Sequence, residues 1–499
     1  MKTCPESTAF AAAYATGRPQ VVWTTLVADL ETPVSAFLKL AEGHANNFLL
    51  ESVEGGAIRG RYSFIGLKPD LIWRCFGTRA EINRMARTDP SAFVAEAYSP
   101  LQSLRALMAE SRIDLPHVLP PMAAGLFGYM GYDMVRLVET LPDALPDPLG
   151  LADGVFLRPT VMAIFDTIAD RVTVVTPVWP RQGCEATAAY RQACERLSDV
   201  LNDFRRPLPL RHERGRDLPP AVPVANMSRE AFHAMVTRAK EYIAAGDIFQ
   251  VVLSQRLRIP FRLPPFALYR ALRRLNPSPF LFFLDFGGYA LVGSSPEILV
   301  RVRDGVVTIR PIAGTRPRGA DRETDEALAT ELLADPKELA EHLMLLDLGR
   351  NDVGRVARVG SVRVTEKMII ERYSHVMHIV SNVEGLLAPG EDAMSALMAG
   401  FPAGTVSGAP KVRAMEIIDA LEPERRGFYA GAIGYLSAGG AMDTCIALRT
   451  ALITGDTMIV QAGGGVVADS DPESEYQESL NKARALIRAA EEAIRFAAD

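Results

Sequence analysis

One stretch constrains the folding of this chain more than any other. Between Arg205 and Asn226 it runs Arg205-Arg206-Pro207-Leu208-Pro209 and then Pro219-Pro220-Ala221-Val222-Pro223. Each proline removes a backbone donor and fixes φ, so neither a helix interior nor a central strand is expected to pass through. The stretch reads as a linker or an exposed crossing between two domains. It divides the 499 residues into 1–205, a linker at 206–226, and 227–499. No fixed-period repeat crosses it.

Composition narrows the class. Hydrophobic residues make up 48% and charged residues 23%, values of a soluble globular protein. Lys+Arg 54 against Asp+Glu 60 gives a net charge of −6, so nothing global draws the chain to nucleic acid or an anionic membrane. Cys4, Cys75, Cys184, Cys194 and Cys445 are widely spaced and form no CxxC. That pattern supports neither a disulfide framework nor a thiolate zinc site, and it favours a reducing, cytoplasmic setting. The uncharged runs Leu115 to Tyr132 and Ala393 to Pro410 are broken by prolines and glycines, so neither reads as a membrane helix. Ala9 to Ala15 faintly imitates a signal peptide, but it is short and Glu6 precedes it.

Periodicity places the elements. In the first part Val21 to Leu30 and Phe48 to Val53 are strand-like, Pro33 to Ala41 helical, Thr160 to Val178 β-rich, and Cys184 to Phe204 a helix. In the second, Ser228 caps a helix reaching Ala245. Phe280 to Phe286 and Tyr289 to Val292, separated by Gly287-Gly288, form a hairpin. Asp325 to Leu333 and Asp392 to Ala399 are short helices. Asp335-Pro336 opens a helix to Leu348, and Asp471-Pro472 opens the last one. Gly431 to Tyr435, Thr444 to Leu452 and Thr457 to Gln461 read as successive strands. Strands interspersed with helices imply an α+β fold, sheets covered by helices.

Two of these helices carry a Glu-x-x-Glu step: Glu338 with Glu341, and Glu475 with Glu478. Residues three apart share a helix face, so each pair projects two carboxylates the same way. Alone, such a pair is more often a solvated face. Here Leu343 to Leu346 follow the first pair closely, and the second lies beyond Gly463-Gly464-Gly465. Those glycines read either as a tight turn or as backbone N–H groups that hold an anion. Four carboxylates aimed at one point would suit Mg2+, which takes oxygen ligands and keeps waters. Gly125, Gly128 and Gly131 match no nucleotide-binding spacing.

Six stretches, in order, resemble the chorismate-utilising enzymes, and most closely the branch of anthranilate synthase large subunits. They are Gly246 to Gln250 (GDIFQ), Gly293 to Glu297 (GSSPE), Pro311 to Gly319 (PIAGTRPRG), Glu338 to Asp352 (ELAEHLMLLDLGRND), Tyr373 to Ser381 (YSHVMHIVS) and Gly404 to Ala414 (GTVSGAPKVRA). The tail Gln461 to Ala483 fits as well, and so do Leu49 to Ser52 (LLES) and Gly60 to Gly66 (GRYSFIG) before the linker.

The resemblance implies layered antiparallel sheets covered by helices. It makes 1–205 a regulatory, tryptophan-binding part and 227–499 the catalytic, chorismate-binding part. It also implies a reaction: ammonia attacks C2 of chorismate, the C4 hydroxyl leaves, and loss of pyruvate aromatises the ring to anthranilate. By that likeness Glu297 is the general acid, Thr315 positions the substrate and His378 assists the elimination. Tyr429, Arg449 and the backbone of Gly463, Gly464 and Gly465 meet the enolpyruvyl carboxylate; Gln250 is a further substrate-binding residue, and so is Lys482, which lies near the carboxylate cluster and offsets its charge. Glu338, Glu341, Glu475 and Glu478 hold Mg2+ against the ring carboxylate. Leu50, Glu51, Ser52, Pro279, Phe280 and Leu281 form the tryptophan pocket, with Ile433, Tyr435, Asp443 and Cys445 as further candidates. His342 and His375 are expected to be structural.

Relatives that add water carry a lysine in the place of Gln250, and relatives that make 4-amino-4-deoxychorismate carry one in the place of Ala313. A neutral glutamine cannot deprotonate water and an alanine forms no bond to C2, whereas ammonia needs no activation. The sequence holds no Gly-x-Cys-x-Gly elbow with a His–Glu tail. The likeness therefore implies a separate glutamine amidotransferase subunit, in a heterotetramer. The competing readings are an aminodeoxychorismate, isochorismate or salicylate synthase, and a non-catalytic tryptophan sensor.

Overall fold

The computed structural model describes residues 2–54, 58–142, 145–209, 221–373 and 376–498. Residues 210–220 of the proline-rich stretch and His375 lie outside the described residues. All strand pairings are antiparallel, and they resolve into two layered runs that share one long strand pair. The first run begins with Gln20–Val27 on Arg171–Val178, then Gly154–Asp166 and Ile58–Phe76. It continues through Asn47–Glu54, Phe280–Asp285, Ala290–Ser295, Thr450–Thr454 and Thr457–Val466 to Gln250–Pro260. The second leaves the same Gly154–Asp166 strand through Gly125–Met130, Ala432–Ser437, Met442–Ile446, Ile298–Arg303 and Val306–Ile309. It ends on Val376–Leu386, which also pairs with Ile312–Pro317 and Arg363–Arg372. Asn47–Glu54 on Phe280–Asp285, and Gly125–Met130 on Ala432–Ser437, join segments from both sides of the proline-rich stretch.

Side chains between the layers form the larger core. Phe48 from one layer stacks on Phe127 from the other at 4.6 Å, and Phe127 meets Tyr435 at 5.6 Å. The outer face of the first layer is a second core, covered by Pro33–Leu40, Ala186–Phe204, Pro265–Leu275 and Pro472–Ala498. The helix Ser7–Ala15 packs there, with Phe10 5.1 Å from Tyr190. Burial of these apolar side chains drives the layering.

The helix starts follow their sequence signals. Ser228 accepts from Ala231 N, Asp335 from Lys337 N and Glu338 N, Asp392 from Ser395 N and Asp471 from Ser474 N. Each cap satisfies an orphan donor of the first turn. The helix opened at Asp335 runs on to Gly354, beyond Leu348. Two strand expectations differ from the structure. Thr444 to Leu452 is two strands, Met442–Ile446 and Thr450–Thr454, with a break at Ala447 to Arg449. Thr457 to Gln461 extends to Val466 because Gly463 to Gly465 pair with Ser254, Leu253 and Val252.

Candidate active site

The two layers exchange chain at one place. Ala290–Ser295 pairs with Thr450–Thr454 in the first, whereas Ile298–Arg303 pairs with Met442–Ile446 in the second. Both crossings need a break in pairing, at Pro296-Glu297 and at Ala447-Leu448-Arg449. Pro296 has no N–H to give a ladder. Arg449 turns the other chain with φ +47°, which costs a non-glycine residue roughly 1–2 kcal/mol. The crossings are tied together: Ile446 N donates to Glu297 O at 3.1 Å and Ser294 N to Arg449 O at 3.1 Å. Glu297 and Arg449 are thereby brought to one gap between sheets.

The Glu297 carboxyl is buried, and Thr405 Oγ1 donates to its Oε1 at 3.3 Å. Burial pushes it up to about 8, against the opposing pull of Thr405 and the Ile312 backbone. It is a carboxylic acid at neutral pH, the state a proton donor needs. His378 lies opposite Thr315 in strand register, where a bulge between Ala313 and Thr315 turns the hydroxyl to the ring. Its Nδ1 is 2.9 Å from Thr315 Oγ1 and 3.3 Å from Gly314 O. Burial, and then the charge of Arg449, pull His378 down to about 4. The ring is neutral, and the carbonyl beside Nδ1 favours the proton there, leaving the Nε2 lone pair free.

Arg449 is half-buried, and burial lowers its pKa. Among the described residues its guanidinium has no hydrogen-bond or ion-pair partner. A desolvated cation without a partner is costly, and an anion between Arg449 and His378 would remove that cost. Tyr429 is buried, its ring 5.5 Å from the Arg426 guanidinium, and burial raises its hydroxyl to about 12.

Glycines 463–465 are neither a turn nor a free loop; their absent side chains make room. A Cβ on Gly463 would lie 2.1 Å from Leu253 O, one on Gly464 2.7 Å from Glu475 Oε2, and one on Gly465 2.2 Å from Gln250 Nε2. Gln250 therefore lies across Gly465, with its Oε1 buried and without a hydrogen bond. Strand pairing on the far edge stops at Val460, so the glycine edge there faces the carboxylate helix. Lys482 Nζ bridges that edge, donating to Gly463 O at 3.0 Å and pairing with Glu478 Oε1 at 2.7 Å.

The four glutamates gather at this edge. Burial raises Glu341, and the charges of Glu338 and Glu478 raise it further. Burial and Glu478 likewise raise Glu475, whose Oε2 is buried without a partner. The two acidic helix faces therefore meet. A Cβ on Gly314 would stand 3.2 Å from Glu338 Oε2, so glycines cradle both pairs. Among the described residues no three His, Cys, Asp or Glu side chains already form a chelate. Glu338 Oε1 is also held by Arg316 at 3.0 Å, an ion pair that sequence reasoning passed over. Hard carboxylate oxygens with an orphan among them fit Mg2+ when water or ligand oxygens complete its shell.

Strand alternation divides the candidate tryptophan residues. The side chains of Leu50, Phe280, Ile433, Tyr435 and Cys445 belong to the core between the layers, while Leu281 belongs to the outer core. Glu51 also points outward. Its carboxylate accepts from Tyr269 Oη at 2.5 Å, from Arg273 Nε at 2.5 Å and Nη2 at 2.9 Å, and from Ser63 Oγ at 3.2 Å. Asp443 stands opposite Tyr435 in register and keeps its Oδ1 buried and unpaired. Ser52 packs against Gly60, where a Cβ would be 1.8 Å from its Oγ, and Pro279 is half-buried. His342 is buried, with Nε2 2.7 Å from Ser381 Oγ.

The sequence reading assigned Thr405 and Arg426 no role. Both sit beside the site, Arg426 fully buried between Tyr132 and Tyr429 and paired with Glu422 at 2.6 Å. Only the motif GTVSGAPKVRA signalled the first, and nothing local signalled the second.

Residues 48–488 match the family model described as chorismate binding enzyme. Anthranilate synthase component 1 of Cereibacter sphaeroides is 63% identical over 481 residues, 96% of either chain. The protein of that name from Pseudomonas aeruginosa is 50% identical, covering 93% of this chain and 94% of its own. The crystal structure of anthranilate synthase component I from Streptococcus pneumoniae superposes with a TM-score of 0.75 at 37% identity, covering 93% of this chain and 99% of that one. The menaquinone-specific isochorismate synthase of Escherichia coli shares the fold, with a TM-score of 0.70 at 21% identity over 97% of this chain and all of its own.

Proposed function

The chain belongs to the chorismate-binding enzymes, and from that premise we propose that it is an anthranilate synthase large subunit that turns chorismate and ammonia into anthranilate and pyruvate. One observation carries this reading beyond the family. Gln250 and Ala313 are both buried, and by the resemblance they stand where enzymes with other nucleophiles have lysine. Gln250 presents an unpaired acceptor, Oε1, and no base. Such a site can orient ammonia but cannot activate water.

The remaining roles follow from charge and geometry. Chorismate is a dianion. Arg449, unpaired and desolvated, takes the enolpyruvyl carboxylate with Tyr429 and the glycine edge at 463–465. Glu338, Glu341, Glu475 and Glu478 would hold Mg2+, which supplies positive charge for the ring carboxylate when bound. Ammonia attacks C2 as Glu297 gives its proton to the C4 oxygen, which leaves as water. His378, neutral and held by Thr315, stands ready to take a proton as pyruvate departs.

Tryptophan is the proposed feedback inhibitor. The unpaired Asp443 Oδ1 beside Tyr435 supports a site for an amino group, with Leu50, Ser52 and Phe280 as the apolar and polar wall. Glu51 acts there through its backbone strand, because its side chain is held on the other face by Arg273. Ammonia is proposed to come from a separate glutaminase, the second component that the relatives' naming as component 1 implies, in a cytoplasmic heterotetramer. Among the described residues no helix is long and apolar enough to cross a membrane.

The test is direct. The purified chain with chorismate, Mg2+ and an ammonium salt yields fluorescent anthranilate. Glutamine in place of ammonium yields none until the second subunit is added. Isochorismate or aminodeoxychorismate as the product would overturn the assignment.

A further inference from the structure

A buried acid that gives up its proton in every catalytic cycle must recover it. Behind Glu297 the structure holds a cavity of about 30 Å3, lined by Glu297, Thr405, Asp352, Leu345, Leu348 and Gly349 among others. One water needs roughly 10–15 Å3 and two or more polar partners, so the cavity has room for a water. Of the residues assigned to the substrate, only Glu297 reaches it; His378, Arg449, Tyr429, Gln250 and the three glycines do not line it. Glu297 is thus the residue of the candidate substrate site that also lines this cavity.

Asp352 makes the cavity a built site. It is 4% exposed, and its Oδ1 is buried with no hydrogen-bond partner. Its Oδ2 accepts from Lys411 Nζ at 2.8 Å. Lys411 is half-buried at the start of its helix, beside the exposed Pro410, so its ammonium stands between Asp352 and solvent. The other charge acting on Asp352 is Arg355. Thr405, which also lines the cavity, donates from Oγ1 to Glu297 Oε1 at 3.3 Å. A buried acceptor with no donor is costly, and a water between Asp352, Thr405 and Glu297 would supply one.

We infer that Asp352, held by Lys411, and Thr405 form a water-bridged proton relay that reprotonates Glu297 from the side away from the substrate. The inference rests on Glu297 being the general acid. The balance is simple. The Glu297 O–H breaks, the C4–O bond breaks with its electron pair on oxygen, and water leaves the ring. The C2–N bond forms, and the new ammonium group releases its extra proton to solvent. A proton from bulk water then reaches the Asp352 carboxylate at the Lys411 edge and passes from it through the cavity water to the Glu297 carboxylate. Lys411 remains an ammonium and fixes Asp352, acting as a positioning residue.

The relay is needed between turnovers and not within the first. Asp352→Asn and Thr405→Val should therefore lower steady-state kcat tenfold or more relative to the first-turnover burst rate measured in the same variant. The solvent deuterium isotope effect on kcat should rise, and a small diffusible acid such as imidazolium should restore turnover. Thr405→Ser, which keeps the hydroxyl, should behave as wild type even if Asp352→Asn does not fold. Wild-type kcat and isotope effect in Thr405→Val would overturn the relay, as would burst and steady-state rates that fall together. A Glu297→Gln variant separates the two ideas: loss of its burst upholds the acid assignment whether or not the relay stands, and a retained burst removes both.

Discussion

Replacing Glu297 with glutamine should make the protein more stable as it makes it inactive, and the gain should depend on pH. Burial lifts the carboxyl from 4.5 to about 8. At about 1.4 kcal/mol per pH unit, that disfavours the buried carboxylate by on the order of 5 kcal/mol. In the unfolded chain the same group ionises near its ordinary value. Its contribution to stability is thus fully present below pH 4.5 and is lost as pH rises through 8. Glutamine is uncharged throughout and has nothing to lose. Relative to the wild type, Glu297→Gln should gain about 1.4 kcal/mol per pH unit across that window, reaching about 3 kcal/mol by pH 7. A constant offset of about 1 kcal/mol from the altered Thr405 hydrogen bond lies under this slope. Urea unfolding of both proteins at unit intervals from pH 5 to 9 measures the gap. In the wild type at a fixed concentration of free ammonia, kcat/KM should fall tenfold per unit above about pH 8, because only the protonated acid works. Two stability curves that stay parallel across the window would refute the reasoning.

Other outcomes follow from the same geometry. Because His378 is held down to about 4, kcat/KM for chorismate at a fixed concentration of free ammonia should stay flat between pH 5 and 7; a histidine step near 6.5 in that profile would contradict its burial. Arg449→Ala should raise KM for chorismate roughly 30- to 100-fold, the worth of one charged hydrogen-bonding partner, in steady-state assays with ammonium. Gly464→Ala would put a Cβ 2.7 Å from Glu475 Oε2, so the Mg2+ concentration for half-maximal activity should rise about tenfold while urea stability changes little. Gln250→Lys and Ala313→Lys should each impair ammonia-dependent anthranilate formation, read by product chromatography.

Helix caps and helix faces were legible because they are local. Asp335 and Asp471 caps need only the next turn of chain, and Glu338 with Glu341, or Glu475 with Glu478, share a face by the 3.6-residue period alone. The motifs carried the likeness to chorismate enzymes in the same way, residue by residue. Strand faces are different. Leu50 and Glu51 are adjacent letters, yet one enters the inner core and the other meets Arg273 on the far side. Alternation requires this split, but which face is inner depends on partners hundreds of residues away.

From its own letters, then, the chain determined its α+β character, its helix starts, the pairing of its carboxylates and the absence of lysine at 250 and 313. The tertiary structure decided the rest. It put Glu297 and Arg449 at one crossing between layers, turned Gly463 to Gly465 from a turn into a strand edge, and left a cavity behind the acid. Each of these depends on non-local strand pairing and on what burial does to a charge, and neither can be computed from neighbours in sequence.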